Sequence, residues 1–232
     1  MSEVRLTADS GGGYVELKAP STTASNAAKS LVLPNDIGSA GQYLKNSSTA
    51  GTLEFGGWTT VTKLVSSDLT GNNAFTTTGL DGSAIKRLTM VAWGLNNDGT
   101  SGNNSMMCRI GDGGGLESAD YTSTRASIGS ASNGQNDDTS EWTIGGGSGG
   151  STDVDAFIFE LMPVKTDGTS WVAQWRHHQH QSGTSGGGTW TGSGIGTKVL
   201  SSELDRISFY WANSKNYAHD VSDGLIQLHY IT

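Results

Sequence analysis

The chain has 232 residues, enough for one sizeable domain with a small companion or for two modest domains. Its 14 Lys and Arg stand against 22 Asp and Glu, a formal charge of −8, and its only basic patch is the pair Lys86-Arg87, which excludes nucleic-acid binding through phosphates. The 34 glycines and 3 prolines follow no Gly-X-Y period, so collagen is excluded and the glycines read as turns between short apolar bursts, the signature of an all-β protein.

Residues 1–57 carry brief apolar bursts, Val4-Arg5-Leu6, Tyr14-Val15-Glu16-Leu17, Leu31-Val32-Leu33, Tyr43-Leu44 and Leu53-Glu54-Phe55, between polar Gly- and Ser-rich turns. The alternation in Tyr14-Val15-Glu16-Leu17-Lys18 predicts a strand and not a flexible linker. Strands this short and this poor in aromatic side chains cannot build a core within one chain, because an isolated hairpin is marginal in water. Three copies around an axis can share one, so this segment is expected to be an intertwined trimeric β stem. A change of texture at Gly56-Gly57 then marks the start of a larger domain over 58–232.

In that domain the pattern predicts strands over 59–65, 84–95, 105–111, 142–145, 154–162, 171–178, 188–190, 206–211 and 224–231, with turns at Asp81-Gly82, Asn97-Asp98-Gly99 and Asp167-Gly168. Regular strand and turn spacing without a 3.6-residue period predicts an antiparallel, jelly-roll-like β-sandwich. The mostly apolar run Ala156 to Leu161 is expected at its centre, and 130–139 and 182–188 read as long, exposed, mobile loops. The single cysteine, Cys108, lies in an apolar run and reads as a buried thiol. No apolar stretch approaches the ~20 residues of a membrane helix, and no charged-then-apolar leader follows Met1, so neither membrane insertion nor export by that route is expected.

Two stretches resemble phage proteins. The segments Val15-Glu16-Leu17-Lys18-Ala19-Pro20, Leu31 to Lys45 and Thr52-Leu53-Glu54-Phe55-Gly56 resemble a segment of fibre proteins of marine tailed phages. Arg109-Ile110-Gly111-Asp112-Gly113-Gly114-Gly115-Leu116-Glu117-Ser118-Ala119-Asp120-Tyr121, together with Lys198 to Ile207, resembles a C-terminal domain of phage tail fibres and similar appendages. The resemblance implies a virion protein without catalytic activity: a homotrimeric fibre subunit of tail or head that docks on other virion proteins and contributes to host-surface attachment. A capsid decoration protein without a receptor role is the alternative reading, and a polysaccharide depolymerase a third.

Candidate chemistry is sparse. In His177-His178-Gln179-His180 the alternation puts His178 and His180 on one face of a strand. The resemblance to trimeric phage fibres implies that such an H-x-H pair, tripled on a three-fold axis, can hold a transition-metal ion with six imidazoles. Solvated histidines at a polar strand end are the other reading, and no other cofactor is expected. The carboxylates Glu117 with Asp120, Glu141, and Glu160 with Asp205 are available for acid–base work, but sequence fixes no separation between them and no Gly-x-Ser-x-Gly elbow is present. Asp112-Gly113, Asn136-Asp137-Asp138 and Asp153-Val154-Asp155 lack the spacing of a calcium loop and read as surface turns. Of the 7 tryptophans, Trp58, Trp93, Trp171 and Trp211 are expected in the core, while Trp190 is either an exposed stacking face or a buried strand residue. A host glycan is expected to meet Asn133, Gln135, Asn136, Gln181 and Trp190 on the two long loops, unless these only connect strands.

Overall fold

The computed structural model describes residues 3–7, 14–18, 32–34, 42–47, 49, 52–56, 58–65, 72–97, 105–129, 133–136, 139–145, 154–180, 189–218 and 225–232. The short apolar bursts at the start of the chain become two antiparallel hairpins. One joins β1 (Glu3–Thr7) to β2 (Tyr14–Lys18), and the other joins β3 (Tyr43–Asn46) to β4 (Leu53–Gly56). In the burst at 31–33, Val32 forms an isolated parallel bridge to Thr52. These elements belong to the first of two compact units, Met1–Gly56 and Gly57–Thr232. Of residues 32–34, 42–47, 49 and 52–56 only Gly56 is buried, while Val32, Leu33, Tyr43 and Leu44 are about half exposed or more.

The second unit is an antiparallel β-sandwich. Its strands are β5 (Trp58–Val65), β6 (Ala74–Thr77), β7 (Arg87–Asn97), β8 (Met106–Asp112), β9 (Gly115–Leu116), β10 (Thr122–Gly129), β11 (Asn133–Asn136), β12 (Trp142–Gly145), β13 (Val154–Pro163), β14 (Ser170–His180), β15 (Thr189–Val199), β16 (Arg206–Trp211), β17 (Tyr217–Ala218) and β18 (Leu225–Ile231). The larger sheet runs β11-β10-β15-β14-β13-β7-β18-β5, with β17 added to β7, and the smaller runs β12-β8-β16-β6, with β9 added to β8. The run Ala156 to Leu161 sits in β13, inside the large sheet between β14 and β7, as its apolar sequence requires.

The core lies between the sheets and is aromatic. Phe159 of the large sheet meets Phe209 of the small one edge to face with ring centroids 5.3 Å apart, and Phe157 meets Trp211 at 6.2 Å. Trp142, from the small sheet, packs on Phe159 and receives the edge of Tyr121 at 5.0 Å. Each such ring contributes about 1.5–3 kcal/mol through burial alone. Trp171 and Trp211 are buried as expected, and Cys108 is fully buried on β8.

Room for these rings comes from β15. The sequence expectation there was a strand over 188–190 only, yet the strand runs to Val199. Its inward positions Gly192, Gly194 and Gly196 face large side chains on neighbouring strands. A Cβ on Gly194 would lie 2.2 Å from the Trp175 indole, one on Gly192 2.4 Å from His177, and one on Gly196 2.4 Å from Trp142. Gly194→Ala is therefore expected to destabilise the sandwich by about 1–3 kcal/mol through overpacking. Thermal unfolding checks this, and a melting temperature equal to that of the parent chain would contradict it.

Two further expectations change. The 130–139 stretch is not wholly a loop: Asn133–Asn136 pairs antiparallel with β10 as the edge strand β11. Trp93 is not a core residue, being 55% exposed on β7. Leu88, Met90 and Ala92 point inward, so alternation turns Val91 and Trp93 outward, and a β-bulge follows: Phe157 pairs with Ala92 and Asp155 with Leu95, so that Trp93 and Gly94 together oppose Ala156. Gly94 takes φ 68°, a left-handed value suited to glycine, and the strand resumes its inward alternation at the buried Leu95.

Candidate functional site: the outer face of the large sheet

The strict alternation of β14 divides its chemistry. Trp171, Ala173, Trp175, His177 and Gln179 are buried, while Gln174, Arg176 and His178 are exposed on the other face. The register extends that outer face across the sheet in two rows. One is Leu225, Trp93, Ala156, His178, Thr191 and Ile128; the next is Gln227, Val91, Ile158, Arg176, Ser193 and Ala126. Val91, Trp93, Ile158, Ile195 and Ile128 are all exposed there, an apolar content uncommon on a solvated sheet face.

Two clefts cross this face. One of about 320 Å³ has Val91, Trp93, Ala156, Ile158, Arg176, His178 and Thr191 among its walls. The other, about 640 Å³, is bounded by Thr124, Glu160, Gln174, Ser193 and Ile195 and shares Ile158 and Arg176 with the first. Glu160 accepts a 2.6 Å hydrogen bond from Gln174 Nε2 and lies 3.6 Å from Arg87 Nη1, so its charge is engaged beside the cleft. Arg176 has no hydrogen bond or ion pair with any of the described residues, leaving its five donors to solvent or a ligand.

The proposed metal pair is placed as follows. His178 stands on the outer face, pairing in register with Ala156 and Thr191; His180 pairs with Val154 and Thr189, and its side chain lies outside the described residues. Among the described residues no three His, Cys, Asp or Glu side chains come close enough to hold an ion. His177 points the opposite way, into the core against Phe157. Burial, with Arg125 acting in the same sense, pulls its pKa down to about 4, while a hydrogen bond to the Ile144 backbone works against the shift.

The five residues expected to meet a glycan are spread differently. Asn133 and Gln135 occupy register positions opposite Ile128 and Ala126, in the two rows just described, whereas Asn136 pairs with Arg125, one position beyond the second row. Trp190 is a half-buried β15 residue opposite Gln179 and Gly129, not a loop residue, and Gln181 lies outside the described residues. The residues that sequence reasoning missed are Trp93, Ile158 and Arg176. The signal for Trp93 was its alternation with Met90 and Ala92 along β7.

The carboxylates weighed for catalysis have partners. Glu117 meets Lys198, Glu141 meets both Arg109 and Tyr210, and Asp205 meets Arg206. The Glu141 group borders a cleft of about 530 Å³ on the small sheet. The two segments that carry the appendage resemblance dock on each other. Ser201 donates to Asp112 Oδ2 at 2.6 Å, its backbone N–H to Glu117 Oε1 at 2.8 Å, and the Asp205 N–H to the Gly111 carbonyl at 3.0 Å. Tyr121 Oη receives the Ile110 N–H at 2.9 Å, which ties the end of the motif to its start. The motif residues thus hold the β8–β9 turn against the β15–β16 connection.

Comparison with protein-family models, with curated proteins and with solved structures found no match to this chain.

Proposed function

We propose that this chain is a structural virion protein, a subunit of a tail or head fibre that assembles as a homotrimer and contributes to attachment at the host surface. The observation that carries the reading is the first unit: Val32 and Leu33 beside the bridge, and Tyr43 and Leu44 of the β3–β4 hairpin, are about half exposed or more in the single chain, and Leu53 and Phe55 of the same hairpin are only partly buried. Hairpins without a core need a partner to hide such residues, and copies around an axis supply one. The resemblance of 15–56 to phage fibre segments supports the same assembly, and the uncovered outer face of the large sheet supports a binding role for the second unit.

Sedimentation of the full chain is expected to give three times the chain mass. Leu33→Asp with Leu44→Asp is expected to shift the population to monomer while leaving the far-ultraviolet spectrum of the sandwich unchanged. A parent chain that sediments as a monomer at micromolar concentration would refute the trimer.

A further inference from the structure

We propose that the cleft walled by Trp93, Ile158, Arg176, His178 and Thr191 binds an acidic saccharide, a sugar chain bearing carboxylate or sulfate groups. The inference rests on the attachment reading for the choice of a sugar over other anions, and on geometry for the site.

Trp93 is the first part of the geometry. An indole left 55% exposed forgoes much of the stabilisation that burial would give it, and this one stays on the outer face in alternation with the buried Ala92 while the Gly94 bulge restores Leu95 to the core. Exposed indoles on a rigid strand give a flat apolar platform that costs little entropy on binding, suited to the C–H face of a pyranose ring. Ile158 and Val91 extend the apolar floor beside it.

Charge is the second part. The chain carries −8 overall, yet none of the described residues lining this cleft is acidic and three, Arg176, His177 and His178, are basic, of which Arg176 and His178 are exposed. Arg176 is unpaired among the described residues, and its planar fork matches a carboxylate or sulfate with two parallel hydrogen bonds. An acidic protein that keeps one free guanidinium beside one free indole is complementary to a ligand that is anionic on one group and apolar on a ring face.

Continuity is the third part. The 320 Å³ cleft sits at the lower end of the range for small-molecule sites, and it shares Ile158 and Arg176 as walls with the 640 Å³ cleft beside it. There the hydroxyls of Thr124 and Ser193 and the Gln174 amide offer hydrogen bonds to neutral sugar units. The face is thus laid out for a chain of several units with its acidic group held at Arg176.

Calorimetric titration of the full-length protein with a hexameric oligogalacturonate, a sulfated galactan hexasaccharide and neutral maltohexaose tests the site. Both or one of the acidic probes should bind, identifying the carboxylate or sulfate as the anion, and maltohexaose should bind at least about tenfold more weakly. Trp93→Ala and Arg176→Gln should each weaken the acidic probe about tenfold or more without changing the melting temperature, and Arg176→Lys should recover only part of the loss. Equal binding of acidic and neutral probes, binding unaffected by both substitutions, or no binding by any probe would overturn the site. So would a change of oligomeric state in Trp93→Ala, which would assign the face to contact between copies. Adhesion of the parent protein to host cells is read in parallel: adhesion without saccharide binding leaves the attachment role standing and removes the site, whereas saccharide binding without adhesion does the reverse.

Discussion

Replacing Glu117 with alanine is expected to lower the stability of the second unit by about 3 kcal/mol and its melting temperature by roughly 6–12 °C. The reason lies in Lys198, whose side chain is 2% exposed at an inward position of β15, with Nζ 2.5 Å from Glu117 Oε2 and 5.3 Å from the centre of the Tyr121 ring. Burial raises the Glu117 pKa, but the Lys198 side chain and the Ser201 N–H outweigh it and hold the carboxyl below its ordinary value, so Glu117 is a carboxylate near neutrality. Removing the carboxylate strands an ammonium in the sandwich, which costs more than the pair itself contributes. The double replacement Glu117→Gln with Lys198→Met should recover most of the loss. A single Glu117→Ala variant that melts within a degree of the parent chain would show that Lys198 reaches solvent without it.

Acid should weaken the sandwich well before its carboxylates titrate. His177 is 5% exposed, and its folded pKa of about 4 lies below the ordinary histidine value of 6.5. The unfolded chain therefore binds a proton that the folded chain refuses, and stability falls as pH drops from 6.5 towards 4. The full penalty is about 3 kcal/mol at the bottom of that window, with no further loss from this group below it. Arg125 and His178 are the charges that reinforce the effect. Chemical denaturation between pH 7 and pH 5 isolates this group, because Glu117, Asp112 and Asp81 have lowered values and act only in more acid solution. His177→Gln should flatten the slope in that interval, and an unchanged slope would assign it to another group.

The strands legible from sequence were those whose own residues declare their environment. Phe157, Phe159 and Leu161 alternate with Ile158 and Glu160, and Trp142 to Gly145 is bounded by turn residues, so β13 and β12 could be placed without knowing their neighbours. The β15 strand could not. Beyond the strand read at 188–190, Thr191 to Thr197 carries no strand signal because its small residues complement Trp175, His177 and Trp142, which belong to other strands, and that complementarity exists only once the sheet is assembled. The same holds for β10 and β11, whose Ser, Thr, Ala, Asn and Gly carry no core signal of their own. The candidate site was half visible. The spacing Trp175-Arg176-His177-His178 already separates buried from exposed positions, but the place where alternation breaks after Trp93 depends on a bulge fixed by pairing with β13.

Cys108 has a consequence for the chain's life in air. Its thiol is fully enclosed between β12 and β16, and burial raises its pKa well above the ordinary range, which suppresses the thiolate that oxidants attack. Sulfenic acid, mixed disulfides and cross-links between copies all require that sulfur to reach solvent. The rate at which the protein ages by oxidation at this atom is therefore scaled by the fraction of time the sandwich is open, whatever the oxidant around it.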